Sequence, residues 1–195
     1  MAIMMTRLLE YGQEPPSGDA KADLAWALST FRLSLADGKP AEIVSQLFMG
    51  SIGAAYNEKE LRAAGVTHVL CLCESARLKY PEQLEYKRVP LSDNGSAESI
   101  VRLQQALADC LRFIHQALVS SPTHRCLVHC AQGKSRSAAV VIAYLMVRDG
   151  MSYQEALDLV RVSRPVAEPN AAFRAFLVQG AEAFGADAMQ ALADT

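Results

Sequence analysis

The sequence predicts an α/β domain, and three observations support this fold class. Short apolar runs rich in β-branched residues alternate with longer segments whose apolar residues recur at steps of three and four, the periods of buried strands and of amphipathic helices. Turn-forming residues separate the two kinds of segment. Near the middle of the chain, the apolar run 126–128 leads through a short polar loop into the apolar helical run 138–147. A strand, a tight loop and a helix in that order are typical of α/β domains.

The first forty residues are expected to lie outside this domain. Prolines and a glycine interrupt the chain at 15–18, and the next segment places four apolar residues on one helical face: Leu24, Leu28, Phe31 and Leu35. This helix is interpreted as packing on the outside of the domain, with a docking role as the alternative. The predicted organisation is a helical extension (1–40), the α/β domain (41–180) and an alanine-rich tail (181–195) that frays beyond Gly180.

Within the domain, strands and helices follow each other in order. Strands are predicted at 46–49, 66–72, 85–91 and 125–129. Helices are predicted at 57–64, 96–120, 136–149 and 152–163, with a last one that Pro169 opens. Ser96 is expected to cap the long helix, Gly150 to end the apolar one, and Ser152 with Glu155 to form a capping box.

The composition is that of an ordinary globular protein. The 195 residues suffice for one domain with a substantial core, and the formal net charge is −2, without the basic excess of a nucleic-acid-binding protein. The longest apolar run is too short to span a bilayer, and the N-terminus lacks a secretory-signal pattern. We expect no nucleic-acid or membrane partner and a cytoplasmic location, with the nucleus also open. The five cysteines are expected to be free thiols.

The loop between the strand 125–129 and the helix 136–149 carries the strongest chemical signal. Cys130 opens it, Gly133 permits a close approach of the backbone, and Arg136 has a planar fork that binds two phosphate oxygens. A helix N-terminus and inward N–H groups favour an anion and lower the pKa of a thiol beside it. Ser137 is expected to hydrogen-bond the sulfur. The residues expected to surround the phosphate are Ala131, Gln132, Gly133, Lys134, Ser135 and Arg136.

Three other interpretations of this stretch are weaker. A nucleotide-binding Walker loop would end in the same Gly-Lys-Ser, but it needs a glycine where this chain has Val128. A metal cluster would use four residues near the loop, His124, Cys126, His129 and Cys130. Strand alternation sends His129 to the face opposite the other three, and no pair has the spacing of zinc ligands. Cys130 could also be an ordinary buried cysteine, which would leave the glycine and the arginine unexplained.

Phosphoryl transfer from an alkoxide or phenoxide leaving group also needs a proton donor. Asp93 is the candidate, because it follows a predicted strand in a turn that could reach the loop. Taken alone, an Asp in a Ser-Asp-Asn-Gly segment is typical of turns. Asp109 and Asp149 are expected on helix surfaces and are poorer candidates.

At this point the residues resemble a known family. The segment HCAQGKSRS (129–137) matches the signature of the cysteine-based protein phosphatases and resembles their dual-specificity branch. Six further segments are similar to that branch and stand in the same order: LFMGS (47–51), GVTHVL (65–70), VPLSD (89–93), AYLM (143–146), MSYQEA (151–156) and RP…PN (164–170). The most similar members are those resembling mitogen-activated protein kinase phosphatases. No separate kinase-docking domain fits into forty residues, so a single-domain, atypical member is expected.

The resemblance implies a fold, an activity and a set of roles. The fold is a central mixed, mostly parallel sheet flanked by helices on both faces, and the activity is hydrolysis of phosphate monoesters on proteins through a phosphocysteine intermediate. Cys130 is the implied nucleophile, Arg136 the phosphate clamp and Asp93 the general acid. Ser137 assists hydrolysis of the phosphocysteine, His129 tunes the thiolate, and Asn170 braces the phosphate-binding loop. No metal or cofactor is implied.

The substrate is left open by the sequence. Relatives that act on lipids often carry a lysine where this chain has Ala131 and a glycine where it has Ser135, which favours phosphotyrosine and phosphoserine or phosphothreonine in proteins. A mitogen-activated protein kinase is one candidate partner, and a monomer is expected. The alternatives are a phosphoinositide, an RNA 5′ phosphate or a glucan as substrate, a non-catalytic phosphate-binding module, and a reductase or sulfurtransferase, which would not explain Asp93.

Cys73 is a separate candidate, as a redox partner of Cys130. It follows a strand expected to neighbour the phosphate-binding loop, and a nearby thiol traps an oxidised low-pKa cysteine as a reversible disulfide. Cys71 has the same side-chain parity and is the second choice. The alternative is that Cys73 is an ordinary buried strand cysteine.

Overall fold

The computed structural model of the chain describes residues 36–74, 76–184 and 186–193, together with positions 21, 28 and 32. Most of the helix predicted in the extension, including Leu24, Phe31 and Leu35, lies outside these residues. Among the helices that are described, none combines the length and the apolar character needed to cross a lipid bilayer.

Five short strands form one sheet in the order β1-β2-β5-β3-β4. Their bounds are Ala41–Val44 for β1, Leu47–Gly50 for β2, His68–Cys71 for β3, Glu85–Arg88 for β4 and Cys126–His129 for β5. The four strands β2, β5, β3 and β4 are parallel, and β1 joins the edge of β2 in the antiparallel sense. The expectation of a mixed, mostly parallel sheet is confirmed. Strand β1 was not predicted, because only Ile43 within it is buried and one buried residue gives no alternating pattern.

Seven α-helices and a 3₁₀ turn surround the sheet in the described part of the chain. Their bounds are Ile52–Tyr56 (α1), Glu58–Ala63 (α2), Ala97–Ser120 (α3), Arg136–Asp149 (α4), Tyr153–Ser163 (α5), Ala171–Val178 (α6), Ala181–Phe184 (the 3₁₀ turn) and Ala186–Gln190 (α7). The predicted boundary residues hold: Ser96 caps α3, Ser152 and Glu155 form a capping box, and Gly150 ends α4 in the left-handed conformation. Helix α1 was not predicted; the Ser51 hydroxyl caps it.

Strand alternation divides the core between the two faces of the sheet. On the larger face, Leu47, Met49 and Val128 join the stripe of α3 (Leu103, Leu107, Leu111 and Ile114) and the apolar helix α4. On the smaller face, Phe48, Val69 and Leu127 pack against Ala55 of α1 and Leu61 of α2. Helix α4 is buried nearly all round. Close packing therefore fixes the position of its first residues and of the loop that precedes it.

The expectation that the chain frays beyond Gly180 is wrong for residues 181–193. Phe184 is 3% exposed, and the centroid of its ring lies 5.3 Å from the centroid of the Phe176 ring. Ala188 and Ala191 are also buried. Helix α7 packs against α3. The alanines gave no apolar stripe in the sequence, but their small side chains allow close packing between helices.

The topology brings three loops together at one edge of the sheet. Parallel strands β3, β4 and β5 end side by side, so the segments that follow them meet at their carboxyl ends. These segments contain Cys73, Asp93 and Cys130 respectively. The predicted reactive loop and the predicted acid therefore share an edge although 37 positions separate them in the sequence.

Candidate active site

The loop from Cys130 to Ser135 turns its carbonyl groups away from the site. Four consecutive carbonyl oxygens accept hydrogen bonds from outside the loop: Ala131 from the Ile52 N–H (3.0 Å), Gln132 and Gly133 from the Arg164 guanidinium (2.8 and 3.0 Å), and Lys134 from the Glu168 N–H (2.8 Å). Because a trans peptide points its N–H opposite to its C=O, the N–H groups of residues 132–135 turn toward the cavity. This arrangement is a cradle for an anion.

Gly133 is required by both conformation and space. Its φ is +63°, and a Cβ at this position would lie 2.5 Å from the carbonyl carbon of Gly50 and 2.6 Å from Arg164 Nη2. Both neighbours belong to the support of the loop, so neither can give way without moving the cradle. The sequence prediction of a close backbone approach at Gly133 agrees with this geometry.

Cys130 lies at the base of the cradle, with its Sγ 3.3 Å from the hydroxyl oxygen of Ser137. Burial alone would raise the pKa of the Cys130 thiol, but the charge of Arg136 and the Ser137 hydroxyl outweigh it and hold the pKa below its ordinary value. A thiolate is the nucleophilic form of cysteine. Both neighbours expected to act on Cys130, Arg136 and Ser137, therefore lie where the sequence placed them.

Arg136 is the first residue of α4 and is almost fully buried. Its Nη1 donates to the Leu91 carbonyl at 3.2 Å, and its Nε lies 3.6 Å from Asp93 Oδ2. Among the described residues, Ser135 at the N-cap makes no side-chain hydrogen bond to the first turn of α4. The helix N-terminus favours an anion at this place, beside a guanidinium that the Leu91 carbonyl holds in place.

Asp93 lies at the wall of the same site. Its Oδ1 accepts hydrogen bonds from the Ser135 hydroxyl (2.6 Å) and from the Asn170 amide (2.7 Å). Burial raises the pKa of Asp93 above its ordinary value, and the nearby Arg136 and the two hydrogen bonds offset this only in part. Because two donors already occupy Oδ1, a proton on this carboxyl belongs on Oδ2, the oxygen that faces the Arg136 clamp.

Asn170 contacts both the acid and the end of the phosphate-binding loop. Its side chain does not reach the phosphate-binding loop: Oδ1 accepts from the Phe173 N–H and caps α6, while Nδ2 holds Asp93. Its backbone N–H donates to the Ser135 hydroxyl at 3.0 Å, which is its one link to the loop among the described residues. Asn170 therefore positions the acid and, through Ser135, braces the end of the loop.

Arg164 and Asp37 form a support that the sequence analysis did not find. The Arg164 side chain is buried, holds two loop carbonyls, and donates from Nη1 to Asp37 Oδ1 at 2.9 Å and from Nη2 to Asp37 Oδ2. Asp37 also accepts a hydrogen bond from the Ser51 hydroxyl through its carbonyl oxygen, at 2.8 Å. The segment that begins at Asp37 therefore contacts the α/β domain and supports its loop. The sequence analysis had placed residues 37–40 in the extension.

His129 forms a cluster behind the nucleophile with Cys71 of β3 and with Cys73, which follows that strand. The ligand atoms of Cys71, Cys73 and His129 lie within 4.8 Å of one another, and all three residues are buried. Burial opposes the charged ring, but Cys71 and the Cys130 carbonyl raise the pKa of His129 above its ordinary value. Cys73 and Cys130 are both buried in the larger core cluster, and the role of Cys73 as a redox partner stays a prediction. Among the described residues the four-ligand group considered above, with His124 and Cys126, is not assembled.

A cavity of about 240 Å³ opens above Cys130. Its lining combines the loop, the acid and the segment before α6: Asp93, Cys130, Gln132, Lys134, Ser135, Arg136, Glu168, Pro169, Asn170 and Ala171. Lys134 is tied to Glu168 at its rim, with Nζ 2.7 Å from Oε2. A single site thus holds a thiol with lowered pKa, an anion cradle, a guanidinium and a carboxyl with raised pKa. Such a set can transfer a phosphoryl group to sulfur.

Comparison with known proteins gives the same assignment. Residues 47–182 match the family model of the dual specificity phosphatase catalytic domain. The chain is 39% identical over 137 residues to dual specificity protein phosphatase 1 of Arabidopsis thaliana, covering 70% of this chain and 66% of the relative. It is 33% identical over 144 residues to dual specificity protein phosphatase 15 of Mus musculus, covering 74% of this chain and 57% of the relative. The aligned part is thus about two thirds or less of these two relatives.

Solved structures agree in fold. The crystal structure of human DUSP28 aligns with a TM-score of 0.64 and 33% identity, covering 74% of this chain and 93% of that one. The human tyrosine phosphatase-like serine/threonine/tyrosine-interacting protein aligns with a TM-score of 0.64 and 28% identity, covering 73% and 94%. The fold and the family expected from the sequence are confirmed. The chain belongs to the dual specificity phosphatase family, whose catalytic domain dephosphorylates phosphotyrosine and phosphoserine or phosphothreonine in proteins through a phosphocysteine intermediate.

Proposed function

We propose that this protein hydrolyses phosphate monoesters on phosphoproteins, with Cys130 as the nucleophile, Arg136 as the clamp and Asp93 as the general acid. The observation that carries the proposal is that these three residues, from two distant parts of the chain, line one cavity. The lowered pKa of Cys130 and the raised pKa of Asp93 have the directions that the two roles require.

In the first step, the Cys130 thiolate attacks the phosphorus atom and the bond from phosphorus to the substrate oxygen breaks. The N–H groups of the loop and the Arg136 fork hold the three non-bridging oxygens, where charge gathers in the transition state. Asp93 Oδ2 gives its proton to the leaving oxygen. The product alcohol or phenol departs, and a phosphocysteine and an Asp93 carboxylate remain.

In the second step, water attacks the same phosphorus atom from the side that the product has left. The Asp93 carboxylate takes a proton from the water, and the bond from sulfur to phosphorus breaks. Cys130 leaves as a thiolate, which the Ser137 hydroxyl stabilises from 3.3 Å. Inorganic phosphate is released, and the acid and the nucleophile return to their starting protonation states.

The rim of the cavity supports a protein substrate with one phosphate in the pocket. Lys134 is the lysine of the loop, and Glu168 holds both its ammonium group (2.7 Å) and its carbonyl oxygen (2.8 Å). The Lys134 charge at the rim of the cavity is thereby compensated, which weakens its attraction for a second phosphate of a polyanionic substrate. This favours phosphoproteins over phosphoinositides, in keeping with Ala131 and Ser135 in the loop.

The finer identity of the substrate is part of the proposal. A mitogen-activated protein kinase is the candidate implied by the resemblance, and the enzyme is proposed to act as a monomer in the cytoplasm or the nucleus. A substrate-trapping variant, Cys130→Ser with Asp93→Ala, binds phosphoproteins without turning them over. Proteins captured from a lysate are identified by mass spectrometry, and vanadate or tungstate should block the capture of true substrates. The absence of phosphorylated mitogen-activated protein kinases from the captured set contradicts that candidate.

Turnover of a generic aryl phosphate by the full chain tests the activity itself. The wild-type protein is expected to turn it over and Cys130→Ser to abolish turnover, while Cys110→Ser, which removes another buried cysteine in α3, leaves the rate unchanged. Binding of a phosphopeptide by a wild-type protein with no turnover would instead identify a phosphate-binding module. The similarity to a protein named phosphatase-like makes this control necessary.

A further inference from the structure

The buried cluster of Cys71, Cys73 and His129 has no task in the proposed reaction except at His129. Cys71 lies opposite His129 in the parallel pairing of β3 with β5, so the two side chains leave the same face of the sheet. Cys73 is two residues further along and has the same parity. The chain thus places two thiols and an imidazole at the carboxyl edge of the sheet. The imidazole belongs to His129, the residue directly before the nucleophile.

We propose that Cys71, Cys73 and His129 bind a thiophilic divalent cation of the Zn²⁺ class, for which Co²⁺ serves as a spectroscopic probe, and that the bound ion inhibits the enzyme. Thiolate and imidazole are the ligands that zinc takes in proteins. The three ligand atoms already lie within 4.8 Å of one another. A tetrahedral zinc ion needs them at about 3.6–3.8 Å from each other, so no pair has to close by more than about 1 Å.

Charge balance favours a divalent ion at this place. Two thiolates neutralise Zn²⁺, so the complex adds no net charge to a part of the core where an unpaired charge would be costly. The described residues supply no fourth His, Cys, Asp or Glu ligand within the same distance, which leaves one position of the ion for water. Three protein ligands and one open position also occur in known zinc sites.

Binding would reach the catalytic loop through His129. Its Nδ1 lies 3.3 Å from the Cys130 carbonyl oxygen, so an ion that takes either ring nitrogen fixes the ring and its charge next to the nucleophile. Metal binding itself does not depend on the proposed function, whereas the loss of turnover does, and the two are measured separately.

Titration of the full-length protein with Zn²⁺ in a chelator buffer tests the site. We expect one ion per chain, and Cys71→Ser and Cys73→Ser should each weaken binding by about 100-fold or more, since even the loss of an outer partner costs about 10- to 100-fold. Cys110→Ser is the matched control, because Cys110 is equally buried but lies in α3. Unchanged stoichiometry and affinity in both cluster variants would overturn the proposal.

Cys130→Ser separates this site from binding at the nucleophile. The cluster is intact in this variant, so Co²⁺ should still give the thiolate charge-transfer absorption, and its intensity should fall by about half in Cys71→Ser. Loss of the absorption in Cys130→Ser would place the ion on the nucleophile and contradict the inference. If a cluster variant does not fold, the Cys130→Ser spectrum still shows whether the ion lies on the nucleophile, and Cys110→Ser and Cys126→Ser exclude the other two thiols. Binding without loss of turnover would overturn the inhibition and leave the site.

Discussion

At the scale of single residues, the two serines that flank Arg136 serve different reacting groups. Ser135 donates to Asp93 Oδ1 at 2.6 Å, and the Ser137 hydroxyl lies 3.3 Å from Cys130 Sγ. They stand on either side of the clamp, so one turn of chain links the acid, the guanidinium and the nucleophile. Burial acts to raise the pKa of both Asp93 and Cys130, and the Arg136 charge opposes it at both. At Cys130 the Arg136 charge and the Ser137 hydroxyl prevail, whereas at Asp93 burial does.

Asp93→Asn should slow the reaction according to the leaving group. Turnover of alkyl phosphates should fall by about 10²- to 10⁴-fold, and turnover of aryl phosphates with an acidic phenol far less, because only a poor leaving group needs the proton. The measurement is kcat/KM across a series of phosphate esters. Asp109→Asn, on the exposed side of α3, should behave as wild type. An unchanged dependence on leaving-group pKa would show that Asp93 is not the acid.

The same pair sets the dependence on pH. Activity needs Cys130 deprotonated, so it should fall as the pH drops through a pKa held below the ordinary thiol value. It also needs Asp93 protonated, so it should fall as the pH rises through a pKa lifted above the ordinary carboxyl value. In Asp93→Asn the alkaline fall should disappear and the acid fall remain. A wild-type alkaline fall in the variant would assign it to another group.

Two glycines with the same backbone conformation separate strain from space. Gly133 and Gly150 have φ values of +63° and +66°, but no heavy atom of the described residues lies within 4 Å of a Cβ built on Gly150. Gly150→Ala should cost about 1–2 kcal/mol of stability and leave turnover unchanged. Gly133→Ala should also displace the loop and lower kcat about 100-fold. Denaturant unfolding and steady-state kinetics measure the two effects, and equal kinetics in both variants would contradict the steric argument.

At the scale of elements, the phosphate-binding loop is held by neighbours that are remote in sequence. Residues 131–134 receive donors from α1, from the end of α5 and from the segment before α6. Arg164 at the end of α5 is itself fixed by Asp37, which lies before β1 and outside the matched family range 47–182. The anion cradle therefore depends on a segment that comes before the first strand.

Asp37→Asn should weaken this support without touching the reacting groups. Replacing the carboxylate leaves the buried Arg164 charge with a weaker partner, which should cost about 1–3 kcal/mol of stability and lower the affinity for phosphate or tungstate more than the rate of an aryl ester. Asp158→Asn is the matched control, since Asp158 is exposed on α5, the helix that ends at Arg164. Inhibition constants for tungstate equal to those of wild type would mean that Arg164 holds the loop without Asp37.

At the scale of the whole molecule, strongly periodic and contiguous signals were predictable and long-range pairs were not. Helices α3 and α4 were found because each carries an apolar pattern over three turns or more, and the site from Cys130 to Ser137 was found because it is one stretch. Asp37 and Arg164 stand 127 positions apart, and a single charged pair at that separation leaves no local pattern. The cluster of Cys71 with His129 depends on strand register, which sequence alone does not determine.

The C-terminal segment shows the same limit and gives the last prediction. Alanines do not mark a buried face, yet Phe184, Ala188 and Ala191 are buried and close the core beside α3 and α6. Phe184→Ala should therefore lower the free energy of unfolding by about 3 kcal/mol, because it removes a ring packed 5.3 Å from Phe176. Turnover of the folded enzyme should be unchanged, since none of the residues lining the cavity belongs to this segment.

Met189→Ala is the control for this change, because Met189 lies on the same segment but is 44% exposed. It should alter the free energy of unfolding by about 0.5 kcal/mol or less. Urea unfolding of both variants makes the comparison. If both cost the same small amount, residues 181–193 contribute little to the core and the tail is dispensable. A large difference instead means that a domain ending at residue 180 lacks part of its own core, because the side chain that covers Phe176 comes from beyond that boundary.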